Sequence, residues 1–199
     1  MIDASLNEVE GLAAKAARGA GLPWGLCEET GKAARWLAGN GLEWAPSLLA
    51  LLSAPARDNM LSPLTIGSHL ADLGIAPQSV GPINHPLWLL PSAARIAAIN
   101  GQAIRVTWDG IVIDIWPFGG AMMGPQDALL RARVPIVDLT AVQAGAGDGV
   151  EAVAFERSTR SLVRPQTWQA LEVLGARTYV AASAQSRSRG AGAGVTDND

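Results

Sequence analysis

The chain predicts an α+β fold: an N-terminal helical hairpin and short helices packed on a small, mainly antiparallel sheet, closed by a C-terminal helix and a Gly-rich tail. Three observations carry this. A capped helical pattern opens the chain at Ser5, two apolar runs flank Asp109-Gly110, and Pro165 precedes a last helical pattern. Helices come first, strands next and a helix last, which argues against a repeating βαβ fold. We expect one α+β domain over residues 1–186 and a separate tail over 187–199.

Ser5-Leu6-Asn7-Glu8 has the form of a capping box, in which the Ser hydroxyl and the Glu carboxylate each satisfy a free backbone N–H. Leu6, Val9, Ala13, Ala16 and Ala20 then follow at helical spacing. Gly19 and Gly21 can end this helix in the left-handed conformation. Pro23 suits the first turn of a second helix, Trp24 to Ala38, with Leu26, Thr30, Ala33 and Leu37 on one stripe. Gly39-Asn40-Gly41 stops it. Lys15-Ala16-Ala17-Arg18 and Lys32-Ala33-Ala34-Arg35 repeat four residues, too short a match for a structural repeat. Residues 46–81 predict short helices punctuated by Pro and Gly, and Pro86 to Ile99 a buried helix, with a start after Pro91 as the alternative.

Asp109-Gly110 is a two-residue hairpin turn of the kind that needs positive φ, joining Ala103–Trp108 to Ile111–Trp116. Val134 to Leu139 and Val150 to Phe155 are further strand candidates, linked through Gly145, Gly147 and Gly149. Pro165 begins the last helix, with Trp168, Leu171 and Leu174 at spacings of three.

Charged residues make up 17% of the chain, against about a quarter in a typical soluble protein. A surface short of charge predicts a homo-oligomer. The net charge of −3 provides no basic stripe, so no nucleic-acid partner is expected. Cys27 is the single cysteine and the start has no leader pattern, which together predict a cytoplasmic protein. No membrane partner is expected either. The longest apolar candidate, Pro86 to Ile99, is broken by Pro91 and carries Arg95.

The glycine clusters form neither a dinucleotide fingerprint nor a P-loop. His69, His85 and Cys27 match no zinc spacing. No cofactor and no metal are therefore expected, although Asp197 and Asp199 are oxygen donors of the type that hard cations use. Cys27 lies near a helix start beside Glu28 and Glu29, which predicts an inert thiol.

The densest charge cluster is Glu28, Glu29, Lys32 and Arg35. It is either a solvated helix face or a polar site framed by Trp24 and Trp36. As a site, Glu28 or Glu29 is the acid/base candidate, and Arg18, Lys32 and Arg35 are candidates for holding a small anionic metabolite through its carboxylate. Arg187 and Arg189 precede Gly190, Gly192 and Gly194, whose backbone N–H groups are of the kind that form an anion nest. Thr196, Asp197, Asn198 and Asp199 complete that candidate binding element. Its alternative is a solvated tail.

The run SLNEVEGLAAKAARGAGLPWGLCEETGKAARWLAG, from Ser5 to Gly39, resembles a bacterial family known only as a domain of unknown function and common in proteobacteria. The ending TYVAASAQSRSRGAGAGVTDND, from Thr178, resembles that family's ending. The family typically has Ala at Cys27 and Pro at Ala181. The resemblance implies no catalytic assignment. Because the two ends carry it, we expect the tail to lie across the first two helices. Two functions stay open: a small enzyme or enzyme subunit acting on an anionic metabolite, and a non-catalytic accessory protein whose tail docks on a partner or sister subunit.

Overall fold

The computed structural model describes residues 1–54, 62–73, 77–142 and 152–179. Its helices are α1 (Leu6–Gly19), α2 (Trp24–Gly39), α3 (Ala45–Ser53), α4 (Pro63–Leu73), α5 (Leu90–Asn100) and α6 (Pro165–Ala176). Its strands are β1 (Ile2–Ser5), β2 (Gln78–Val80), β3 (Ile83–Asn84), β4 (Ala103–Trp108), β5 (Ile111–Trp116), β6 (Gly119–Met123), β7 (Arg133–Val134), β8 (Val137–Val142), β9 (Val153–Ala154) and β10 (Arg160–Val163). The fold is α+β, and every strand pairing among the described residues is antiparallel.

The capping box at Ser5 is complete: Glu8 N–H donates to Ser5 Oγ, and Ser5 N–H donates to Glu8 Oε2 at 2.7 Å. Val9, Leu12, Ala13, Ala16 and Ala17 form the buried face of α1. Gly21 takes the left-handed conformation after the helix, at φ 93°. Gly19 has a different role. A Cβ there would lie 1.7 Å from the Leu174 carbonyl oxygen, so its bare backbone lets α6 rest against α1. In α2 the buried face is Cys27, Thr30, Gly31, Ala34, Leu37 and Ala38, one position round from the expected stripe. Leu26 and Ala33 are half-buried. The shift brings Gly31 against the Glu10 carbonyl of α1 and turns Ala33 toward a cleft on the other side.

The central sheet has the order β2-β8-β4-β5-β6-β9. Asp109 and Gly110 sit at φ 45° and 79°, so the β4–β5 turn is the expected tight hairpin. Ile104, Val106 and Trp108 pair across from Ile115, Ile113 and Ile111, and all six are buried. Between them Arg105 and Asp114 pair on the opposite face, with N–O distances of 2.7 and 2.9 Å. α5 covers the apolar face of β4 and β5.

Two expected elements differ. The strand expected at Val134–Leu139 is two strands: Pro135 cannot donate to a ladder, so β7 pairs with β3 and β8 starts afresh beside β2 and β4. The expected helix from Pro86 begins as a 3-10 turn, Pro86–Leu89, before α5. Of the strand expected at 150–155, the described part is β9; the Gly-rich link before it lies outside the described residues. β1 and β10 form a separate pair that ties residues 2–5 to residues 160–163.

Candidate functional site

α2 has two working faces. One packs on α1; the other presents Glu29, Lys32, Ala33 and Trp36, at the i, i+3, i+4, i+7 spacing of one helical stripe. This second face forms one wall of a cleft of about 290 Å³. α4 and α5 form the other walls, and Pro117 and Phe118 of the β5–β6 turn overhang it. The small side chains of Ala33, Ala71, Ala94 and Ala98 leave the space, and Trp36 and Trp88 provide aromatic surface. Trp88 is pinned by its indole N–H on Ser47 Oγ at 2.9 Å. Trp36 donates to the Pro117 carbonyl at 3.4 Å, linking α2 to the overhanging turn. Its ring meets Phe155 edge-on, with centroids 6.4 Å apart. Phe118 itself is 77% exposed.

The charged groups gather at the mouth. Glu29 Oε1 accepts from Lys32 Nζ at 3.0 Å, and Glu29 Oε2 accepts from Arg95 Nη1 at 3.1 Å. Arg95 Nη2 reaches Asp72 Oδ1 at 3.0 Å. One chain of ion pairs thus spans α2, α5 and α4. All four side chains keep substantial exposure, so each pair contributes about 0–1 kcal/mol, and the network can exchange partners with an incoming ion at little cost.

The structure brings Glu29 and Lys32 together with Trp36, and separates the other candidates. Glu28 is exposed and does not line the cleft. Arg35 points to α1, pairing with Glu10 at 3.1 Å and hydrogen-bonding Asn7. Arg18 stacks over the 67%-exposed Trp24, with the guanidinium carbon 3.6 Å from the ring centroid. That contact closes the α1–α2 loop, and neither residue lines the cleft. Arg187, Arg189, Gly190, Gly192, Gly194, Thr196, Asp197, Asn198 and Asp199 lie outside the described residues. Among the cleft residues that sequence reasoning missed are Arg95, Trp88 and Phe118. An arginine inside the otherwise apolar Pro86–Ile99 run was the available signal for the first.

Cys27 is buried, its Sγ donating to the Leu22 carbonyl at 3.2 Å, and burial pushes the thiol above its usual range. His85 sits in the left-handed region at φ 47°, with its N–H on the Ala132 carbonyl and its own carbonyl accepting from Trp88. Burial pushes its imidazole below the usual histidine value. Among the described residues no three His, Cys, Asp or Glu side chains converge as a metal site. No helix among them is long and apolar enough to cross a membrane.

No curated protein and no solved structure matches the chain. The matched family stretch covers α1 to α4 with Glu29, Lys32 and Trp36, and stops short of Arg95, Phe118 and the C-terminal run. Over residues 4–84 the chain is similar to a family described as "Protein of unknown function (DUF3726)", whose model it matches there.

Proposed function

We propose that the cleft between α2, α4 and α5 binds a small metabolite with an apolar body and a carboxylate. The single observation behind this is the arrangement of the lining: alanine and tryptophan surface inside, Lys32 and Arg95 at the mouth. Ligand sites are typically concave and mainly apolar, with a few placed polar groups that fix orientation. The ligand's carboxylate takes Glu29's place on Arg95 and Lys32, and its apolar body covers Trp36 under Phe118. If the protein is an enzyme, Glu29, released from those cations, is its acid/base group. The test is a thermal-shift screen of short-chain and aromatic carboxylic acids against the matching alcohols. Acids stabilise the protein, alcohols do so less, and Arg95→Ala removes the difference. Equal effects of acid and alcohol on the native chain reject the reading.

A second reading, a docking role for the tail, is favoured by a different observation. α1 and α6 flank a groove of about 620 Å³ whose lining includes Gly11, Lys15, Trp168 and Tyr179. The chain continues from Tyr179 for the twenty residues that contain the Gly-Ala segment and the final carboxylates. In this reading that segment docks on the groove of the same protomer or of a sister one. Ending the chain at Tyr179 then lowers Tm and exposes Trp168 to fluorescence quenchers; no change in either rejects it.

A further inference from the structure

We propose that a second cleft, between the start of α3 and β10, binds a small organic anion with two acidic groups, held by Arg157, Arg160 and Arg164. This cleft has a volume of about 440 Å³ and shares no lining residue with the first. Three arginines from one eight-residue stretch line it, against two carboxylates, Glu43 and Glu156.

The arginines retain donors. Arg157 has no ion pair or hydrogen-bond partner among the described residues. Arg164 reaches its nearest carboxylate, Glu43, only at 3.7 Å, beyond hydrogen-bond length. Arg160 commits Nε and Nη2 to Asp3, each at 2.8 Å, which leaves Nη1. That contact fixes Arg160 across the β1–β10 pair, beside Arg164 in a long ion pair with Glu43 and Arg157 with no partner among the described residues. A guanidinium presents a planar fork suited to carboxylate or phosphate oxygens.

The spacing favours two acidic groups over one. Arg160 and Arg164 are four residues apart along extended backbone, a Cα separation of about 13 Å. A single acidic group reaches one of the two well; an ion with acidic groups at both ends reaches the Arg164 fork and the remaining Arg160 Nη1 together. The floor is also built. Trp44 is 1% exposed and its indole N–H donates to Ser161 Oγ at 3.1 Å, and both residues line the cleft.

Phosphate esters and dicarboxylates share this chemistry, so two probes separate them: pyrophosphate and succinate, each titrated into the full chain at low salt. The reporter is the indole N–H resonance of Trp44, assigned with Trp44→Phe. At least one probe moves it along a saturating curve. Pyrophosphate alone identifies a phosphate-bearing ligand, and succinate alone a dicarboxylate. The double variant Arg157→Gln/Arg164→Gln weakens binding about tenfold or more. Arg157→Gln alone, which gives up no partner among the described residues, also weakens it. Arg95→Gln, in the first cleft, leaves it unchanged. The proposal is overturned if neither probe moves Trp44, or if the double variant keeps native Tm and native affinity. Because Trp44 reports on this cleft and Trp36 on the first, failure here is distinguishable from failure of the carboxylate reading.

Discussion

Ser5 and Glu8 show how much one residue pair determines at the start of the chain. Each satisfies a backbone donor of the other's turn, and the hydrogen bonds from Ser5 hold the Glu8 carboxyl below its usual range. Ser5→Ala removes a cap and is expected to cost about 1 kcal/mol, read as a lower urea midpoint at unchanged slope. His85 gives a pH signature. Its pKa is lowered from the ordinary 6.5 by burial, so below that value the unfolded chain binds more protons than the folded one. Its contribution to stability is complete above about pH 6.5 and is lost as pH falls toward the folded value. Glu43 and Arg131 line the same small hollow. His85→Asn tolerates the left-handed backbone and abolishes the titration. The urea midpoint of the variant should lose the part of its fall between about pH 7 and 5 that His85 supplies. An identical fall in both proteins contradicts the assignment.

At the scale of elements, contacts between helices explain what periodicity alone missed. Gly19 and Gly11 lie on the same helix, yet a Cβ at Gly19 meets the Leu174 carbonyl while one at Gly11 meets nothing within 4 Å. Gly19→Ala should therefore destabilise by at least the ~1–3 kcal/mol of ordinary overpacking. Gly11→Ala should stabilise by up to about 1 kcal/mol through helix propensity. Paired thermal melts check both signs, and equal shifts contradict the α1–α6 contact. The same distinction explains which elements were legible in the sequence. The α1–α2 hairpin, the β4–β5 hairpin and α6 carry local signals: a cap, a positive-φ turn and Pro at a helix start. β2, β3 and β10 are two to four residues long and exist through pairing with distant partners, such as Ile2 with Val163, so no local pattern marks them.

On the scale of the whole molecule, the candidate site was half legible. Glu29, Lys32 and Trp36 share a helical stripe, and that spacing is written in the sequence. Arg95 joins them across 66 residues, because α5 packs beside α2 while covering the sheet. Arg35 sits in the same cluster in sequence and on another face in space, a difference set by which side of α2 meets α1. The fold thus places a mainly apolar cleft with an ion-paired mouth on one side, and an arginine-lined cleft at the β1–β10 closure on another. The most direct test of the first is the indole N–H resonance of Trp36 during titration of the full chain with phenylacetate and with phenylethanol. Phenylacetate should shift it along a saturating curve, phenylethanol should do so more weakly, and Arg95→Gln should bring the two together. A Trp36 resonance that stays still, or that answers acid and alcohol alike in the native protein, contradicts the account.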